Sequence, residues 1–433
     1  MGADLQAHAA YYFYIEQVNA MRKSLSRRNV NRKAAFTIIF LFLMSRLMIY
    51  LMNYFGFNLF PHYDAKPKYH YVNEGTWSST TLVLPKQISH TTFPNAYYYV
   101  KFDTYSYLRI AENGYDSFRM NLPHPPANWV FDPLYPLSVR AAHELFRFLS
   151  YPLAGILLSN LFLLIALFIL YQIFISRVKS PSKTISALFL LLVFPTSLYF
   201  SVPYTESLFL MLSALSVYKS DRGSFAAAFL FAGLSAITRP PGVVNIAYVL
   251  IAFLISRNWR LGIKDWRLSG YLALAGGPML LFLLYMKYLT GDFMAPSHEE
   301  KLNWGRQFAI PFQNVVHYLN HPYFILPGGW DNGVITLLVF LLVSALYVFY
   351  GTSIIRTWSK NPNRNIFRNP PLAKEILLFG YGIILVVIPF SSTTIGLVSE
   401  VRYMMVSFPL YLYIVKLSRN RPYVYQTILL FFI

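Results

Sequence analysis

Apolar runs long enough to cross a bilayer as helices recur from Ala34 to the final residue, Ile433. In lipid such runs are helical, because a helix satisfies its backbone N–H and C=O groups within its own segment. Hydrophobic residues make up 56% of the chain and mean hydropathy is +0.42, so the expected class is an all-α polytopic membrane protein. The net charge of +19 could point to nucleic acid. The basic residues, however, crowd into short links between apolar runs, as the positive-inside rule predicts, and nucleic acid is not an expected partner. The absence of cysteine excludes disulfides, thiolate metal sites and a cysteine nucleophile.

A first span is read over residues 34–55, after a basic, polar leader that does not resemble a cleavable signal. It contains Arg46, a charge inside an apolar segment, which is expected to face a bundle interior or a polar cavity rather than to snorkel. Further spans are read near 153–175, 185–199, 205–218, 224–237, 243–255, 268–289, 334–350, 375–390 and 404–415, with an apolar tail at 424–433. Several are short for a bilayer, so some must be tilted, re-entrant or extended at their ends. This divides the chain into a cytoplasmic basic segment, 1–33, and one transmembrane domain, 34–433. The domain carries two long extracytoplasmic loops, 56–150 and 290–333. On this topology 23 of the 37 basic residues are cytoplasmic, whereas 13 of the 18 acidic residues lie outside. The acids played no part in assigning the orientation and agree with it.

The first loop is too long for a connector, and loops of this length usually carry function. Within it, Lys101 to Tyr115 reads as a short helix on which Asp103, Tyr107, Ile110, Ala111 and Gly114 share a face, with Gly114 as the stop. Glu112 is half a turn out of phase, so the stretch offers one carboxylate beside aromatic rings. That suits a single general base next to a sugar and does not suit a two-carboxylate hydrolase pair. The competing reading makes Asp103 the N-cap of an interfacial helix. Asp132, before Pro133, reads more simply as an N-cap with proline at the first helical position than as a catalytic group.

Elsewhere Glu206 falls in the first turn of a span, where the helix dipole favours an anion; a substrate contact is the equal alternative. Arg239, in Thr238-Arg239-Pro240-Pro241-Gly242, is an arginine at an outer helix end with no anion near it in sequence. His317 and His321 are four apart, but no third ligand stands at a telling spacing, and both read as incidental interfacial residues. A final outer stretch carries Glu400-Val401-Arg402-Tyr403.

These motifs, in order across nearly the whole chain, resemble those of the PIG-V-like glycosyltransferases, the family of GPI mannosyltransferase 2 within the GT-C group. Lys101-Phe102-Asp103 with Ile110-Ala111-x-x-Gly114-Tyr115 is similar to an aromatic-Asp…Ile-Ala-x-x-Gly-Tyr signature. Phe131-Asp132-Pro133-Leu134-Tyr135-Pro136 is similar to a Phe-Pro-Leu-Tyr-Pro box with Asp132 inserted. The segment from Ser201 to Phe209, then Thr238 to Gly242, Trp304-Gly305-Arg306 and Arg402-Tyr403 follow in family order. Phe102 stands where the family commonly has tryptophan, and the large insertion from His62 to Tyr99 is not placed by the resemblance. The form of the motifs looks closer to prokaryotic relatives, which puts a GPI substrate in doubt.

The resemblance implies a GT-C-like bundle of about 10–11 transmembrane helices with Asp103, on the first outer loop, as catalytic base. It implies a polyprenyl phosphate sugar donor, dolichyl phosphate mannose foremost, and a lipid-linked or protein-linked glycan acceptor. Arg239, Arg402 and Arg306 are the candidates for the donor phosphate, since guanidinium suits phosphate by geometry. Tyr107, Tyr115, Asp132, Tyr204, Glu206, Trp304 and Tyr403 are the candidates for substrate contacts. No metal or other cofactor is expected, because the leaving group is a monophosphate that protein cations could stabilise; an accessory membrane subunit stays open. The expected setting is a prokaryotic plasma membrane or a eukaryotic endoplasmic reticulum membrane, with the N-terminus cytoplasmic. Two rivals stand beside this reading. One is a transporter or flippase of lipid-linked sugars, which predicts internal repeats and midplane charges. The other is a metal-dependent transferase with a pyrophosphate-linked donor, in which Asp103 would converge with Asp132 or Glu206 on a cation.

Overall fold

Where the sequence is apolar the chain is helical, and serine, asparagine, proline and glycine decide where each helix stops. The computed structural model describes residues 32–56, 58, 93–260, 262, 266–320, 332–360, 369–391, 397 and 400–433. Most of the insertion from His62 to Tyr99, and also His321, lie outside these. Among the described residues every element is helix or turn apart from a single bridge position at Phe308.

The chain starts with α1 (Arg32–Gly56). The first long loop follows, with α2 (Thr104–Asn113) and α3 (Leu134–Leu145). Then come α4 (Tyr151–Val178), α5 (Pro181–Leu192), α6 (Glu206–Asp221), α7 (Phe225–Ala236), α8 (Val243–Ser256) and α9 (Arg267–Thr290). The second long loop carries α10 (Ala295–Asn303) and α11 (Gln313–Asn320). The chain closes with α12 (Asn332–Ser359), α13 (Pro370–Val387), α14 (Glu400–Met405), α15 (Pro409–Leu417) and α16 (Pro422–Phe432).

Cap chemistry explains several boundaries. The Ser150 side chain accepts the Leu153 N–H at the start of α4 and Pro152 occupies its first turn, while Lys179 ends it in a left-handed conformation. Asn369 caps α13 through the Leu372 N–H, again with proline in the first turn.

Among the described residues five helices are long and apolar enough to cross a membrane alone: Arg32–Gly56, Tyr151–Val178, Arg267–Thr290, Val334–Ser359 and Pro371–Phe390. The span read over 185–199 is helical only to Leu192 and resumes as a 3-10 turn at Ser197–Phe200. The span read over 404–415 is broken between α14 and α15, because Pro409 has no N–H to continue the ladder. The freed Met405 carbonyl accepts from Tyr411 Oη, on α15, at 2.8 Å, and Ser407 Oγ ties the break to α13 by donating to the Gly382 carbonyl at 3.0 Å.

A helix bundle in lipid gains little from hydrophobic exclusion between helices and depends on close packing instead. α7 supplies it with small residues, Ala228, Ala232, Gly233 and Ala236, all buried. A Cβ at Gly233 would stand 2.4 Å from the Ala275 carbonyl oxygen, so α7 and α9 meet backbone to backbone there. α6 lies between α4 and α7, α8 joins α7 to α13, and α5 packs on α15. The main core runs through these helices, and a smaller one gathers Leu108, Ala111, Tyr135, Val139, Ala154 and Leu208 beneath the first long loop. The second core seats α2 and α3 on the ends of α4 and α6, and with them the residues of the candidate site.

Candidate active site

The helix read from Lys101 to Tyr115 is α2, and it ends at Gly114, whose φ of 83° suits glycine and whose N–H reaches the Ile110 carbonyl at 2.9 Å. Asp103 immediately precedes it and makes no side-chain cap hydrogen bond. A capping side chain needs an extended backbone, whereas Asp103 is already helical at φ −60° and ψ −19°. The turn is made one residue earlier, at Phe102, whose φ is 54°. With its backbone N–H 3.2 Å from Tyr204 Oη, Asp103 directs its carboxylate elsewhere: Oδ2 accepts from Arg402 Nη1 and Nη2 at 3.3 and 3.4 Å. The Asp103 side chain is about a third exposed, at 31%, and the Arg402 side chain is buried.

Glu206, the first residue of α6, is the centre of this group. Its side chain is fully buried, with Arg239 Nη1 at 2.5 Å and Arg402 Nε at 3.2 Å from Oε1. Both contacts are at ion-pair distance but off the hydrogen-bond line. Glu206 Oε1 and Oε2, Arg239 Nη1 and Arg402 Nε therefore have no hydrogen-bond partner among the described residues. Aromatic rings enclose the two guanidiniums. Arg402 Cζ lies 5.1, 5.0 and 4.9 Å from the ring centroids of Tyr199, Tyr204 and Tyr403, and Arg239 Cζ lies 4.9 Å from Tyr403. Arg402 Nη2 also donates to Tyr403 Oη at 3.0 Å. The anion that Arg239 lacked in sequence is supplied across the fold by Glu206.

A second ring of ionisable groups stands beside this one. Gly305, at φ 62°, turns the chain after α10 so that the Arg306 N–H meets the Glu300 carbonyl at 3.1 Å. Burial opposes the charge on Arg306, but Tyr403, Glu300 and Asp103 hold its pKa above the ordinary value. Burial pushes Glu400 up to about 8, against the pull of Arg306 and Arg402. Burial, reinforced by the Glu300 charge and opposed by Arg239, pushes Asp132 up to about 7. Asp132 is not a helix cap: α3 begins at Leu134 after Pro133, and no side chain caps it. The Leu134 N–H reaches across to the Ile237 carbonyl at 3.1 Å instead, tying this box to the turn that carries Arg239.

The remaining candidates separate. Tyr204 and Tyr403 touch the arginines, as above. The Tyr107 ring packs edge-on against Phe131, Tyr135 and Tyr204, with centroids 5.1, 5.8 and 6.0 Å away. Tyr115 donates its hydroxyl to the Phe131 carbonyl at 2.6 Å and lies against Phe282, which makes it a brace of the outer loop. Trp304 meets Phe131 edge-on, and its buried indole N–H has no partner among the described residues. Glu400 and Tyr199 were not among the candidates. Glu400 is two residues before Arg402 and shares its short helix, a signal available in the sequence. Tyr199 lies in a polar interval rich in aromatics, where nothing local separates it from its neighbours. Among the described residues no three His, Asp or Glu side chains converge as a metal-ligating group.

A cluster of two carboxylates and two arginines, roofed by tyrosines and open at Asp103, can accept a proton at one oxygen and stabilise an anion beside it. A comparison with curated protein sequences finds no match. Among solved structures the chain is similar to ArnT from Cupriavidus metallidurans bound to undecaprenyl phosphate, at 13% identity and a TM-score of 0.44. That likeness covers 75% of this chain and 56% of the other, so the chain spans little over half the length of that protein. The family model for mannosyltransferase (PIG-V) matches residues 37–263, which contain Asp103, Asp132, Glu206 and Arg239, and the chain belongs to that family.

Proposed function

We propose that the protein is an inverting membrane glycosyltransferase. It moves a sugar, mannose by family, from a polyprenyl (dolichyl) phosphate to a lipid-linked or protein-linked glycan on the extracytoplasmic or luminal side. The observation that carries this reading is the cluster of Asp103, Glu206, Arg239 and Arg402, whose three buried members sit at contact distance yet leave donors and acceptors unpaired among the described residues. Buried groups left unsatisfied in a native fold call for a cause, and a ligand that completes them is the simplest one.

In the proposed step the acceptor hydroxyl attacks the anomeric carbon while its proton passes to the Asp103 carboxylate. The bond between that carbon and the phosphate oxygen breaks, and its electron pair stays on the leaving polyprenyl phosphate. Arg239 and Arg402 stabilise the added charge through N–H groups that have no aligned partner beforehand, with Arg306 alongside. One displacement inverts the anomeric configuration.

The test is transfer by purified protein from polyprenyl phosphate mannose and polyprenyl phosphate glucose, with and without EDTA. Transfer from the mannosyl donor, nearly unchanged by EDTA, is the expected result. Absence of transfer from either donor would overturn the reading. Activity abolished by EDTA and restored by magnesium or manganese would move it to a metal-dependent transferase with a pyrophosphate-linked donor.

A further inference from the structure

Arg46 lies near the middle of α1, a helix whose Leu43, Leu47, Met48 and Met52 are exposed apolar side chains facing where lipid would be. Its guanidinium turns the other way, into the bundle. Nη1 donates to Ser201 Oγ at 2.6 Å and reaches the Ser197 carbonyl at 3.4 Å, while Nε meets Ser45 Oγ at 3.2 Å. All these partners are neutral, and the buried Nη2 has none among the described residues. Seven residues on, two turns along the same face, the buried Asn53 Nδ2 faces the Tyr99 hydroxyl without a well-aligned hydrogen bond. A cation held in a span without a counter-ion is costly, and such residues commonly mark a substrate path.

The turn that receives Arg46 also belongs to the candidate active site. Ser197 and Ser201 flank Tyr199, whose ring lies 5.1 Å from Arg402 Cζ. Thr196, just before it, reaches the Val401 carbonyl at 3.5 Å. Arg46 therefore stands one 3-10 turn away from the arginine–carboxylate cluster, on the side where α1 borders lipid. Two N–H donors with no carboxylate nearby among the described residues fit an oxygen-rich anion. In this setting the anion that arrives attached to an apolar chain is a lipid phosphate.

We propose that Arg46, assisted by Asn53, forms a second phosphate-binding position on α1 that holds the headgroup of a polyprenyl phosphate as it passes between the bilayer and the active site. The proposal rests on the lipid-phosphate donor of the preceding section. Its signature differs from that of a structural arginine. Removing a buried charge that lacks a counter-ion relieves its desolvation cost, which offsets the neutral hydrogen bonds lost with it in the lipid-free fold, whereas the stabilisation that bound lipid confers is lost.

The experiment is thermal unfolding of the purified full chain in detergent, titrated with polyprenyl monophosphate, for wild type, Arg46→Met and Arg46→Lys. Wild type should gain Tm on addition of the lipid. Arg46→Met should match or exceed the wild-type Tm without lipid and require about tenfold more lipid for the same gain. Arg46→Lys should recover part of the response. The assay with the mannosyl donor should show a KM raised by a similar factor in Arg46→Met, with kcat affected much less. A lipid response unchanged in Arg46→Met would overturn the proposal, as would a lower lipid-free Tm with the response intact. An equal response of wild type to phosphatidylglycerol or inorganic phosphate would also overturn it, by assigning the position to bulk lipid or to any phosphate. If wild type neither responds to polyprenyl phosphate nor transfers sugar, the functional reading itself fails. If wild type does both and Arg46→Met behaves identically, only the role of Arg46 fails.

Discussion

Helix α6 has a carboxylate at each end, and the two are solved differently. At its C-terminus Asp221 pairs with Arg177 at 2.6 Å in a contact that is also a well-formed hydrogen bond, both side chains being partly exposed. Nearby Lys416 Nζ meets Glu375 Oε1 at 2.6 Å and Tyr350 Oη at 2.9 Å, closing a second such group. At the N-terminus Glu206 is wholly buried against two arginines, and not one of those contacts lies on a hydrogen-bond line. The helix rises about 1.5 Å per residue, so its ends are roughly 22 Å apart and share no partner. Charge pairing alone thus does not mark a site, since both ends have it. What separates them is whether the pairing is finished.

The comparison breaks most decisively at Asp103. Asparagine keeps the shape and cannot take a proton, so Asp103→Asn should lose roughly 10²–10⁴-fold in kcat with donor binding and fold retained. Because Asp103 caps nothing, Asp103→Ala should add no cap penalty to that loss. Near-normal turnover in a folded Asp103→Asn protein, measured by single-turnover transfer, would remove the base and make the outer cluster another structural ion group.

Glu206 tests the cluster as a unit. Glu206→Gln leaves two buried guanidiniums without their shared anion, and unpairing a buried ion typically costs about 3–5 kcal/mol. Asp221→Asn, at the exposed end, should cost no more than about 1 kcal/mol and leave transfer unchanged. Denaturation of both variants in one detergent gives the ratio. Equal costs would erase the distinction between the two ends of α6.

A smaller effect should separate them by pH. Asp132 and Glu400 have pKa values raised to about 7 and about 8 in the folded protein. The folded state then binds protons that the unfolded chain has released. Their contribution is full below the ordinary carboxylate range and is lost as pH rises through about 7 to 8. Tm should fall by a few degrees between mildly acidic and mildly basic pH, and Asp132→Asn should flatten the lower part of that slope. A slope unchanged in Asp132→Asn would place the titrating group elsewhere.

The sequence made the helical class legible, because apolar length is a local property that lipid enforces. It also singled out Asp103, Glu206, Arg239 and Arg402 as separate motifs. It did not show that Glu206 and the two arginines form one cluster, because nothing local links residues so far apart. The two cap readings missed for a related reason. Aspartate before a helix is a good statistical cap, but capping depends on the backbone angle of that residue. For Asp103 the angle is set by the turn at Phe102, whereas at Asp132 the helix starts too late, at Leu134, and Pro133 takes the cap position. The break at Ser407 was invisible for the opposite reason: Pro409 was plain, but nearby apolar residues hid how much of the span it would divide.

Asp103 and Arg402 are 299 positions apart. A ribosome adding about 5–20 residues per second needs roughly 15–60 s to travel that distance. Glu206 and Arg239 are both made within the first half of that interval and can neutralise each other while the rest of the chain is still emerging. Asp103 has to wait in the nascent chain for its arginine until the last helices are inserted. During biosynthesis, then, the protein passes through a long period in which its membrane domain is being built and the Asp103 carboxylate has no partner from α14.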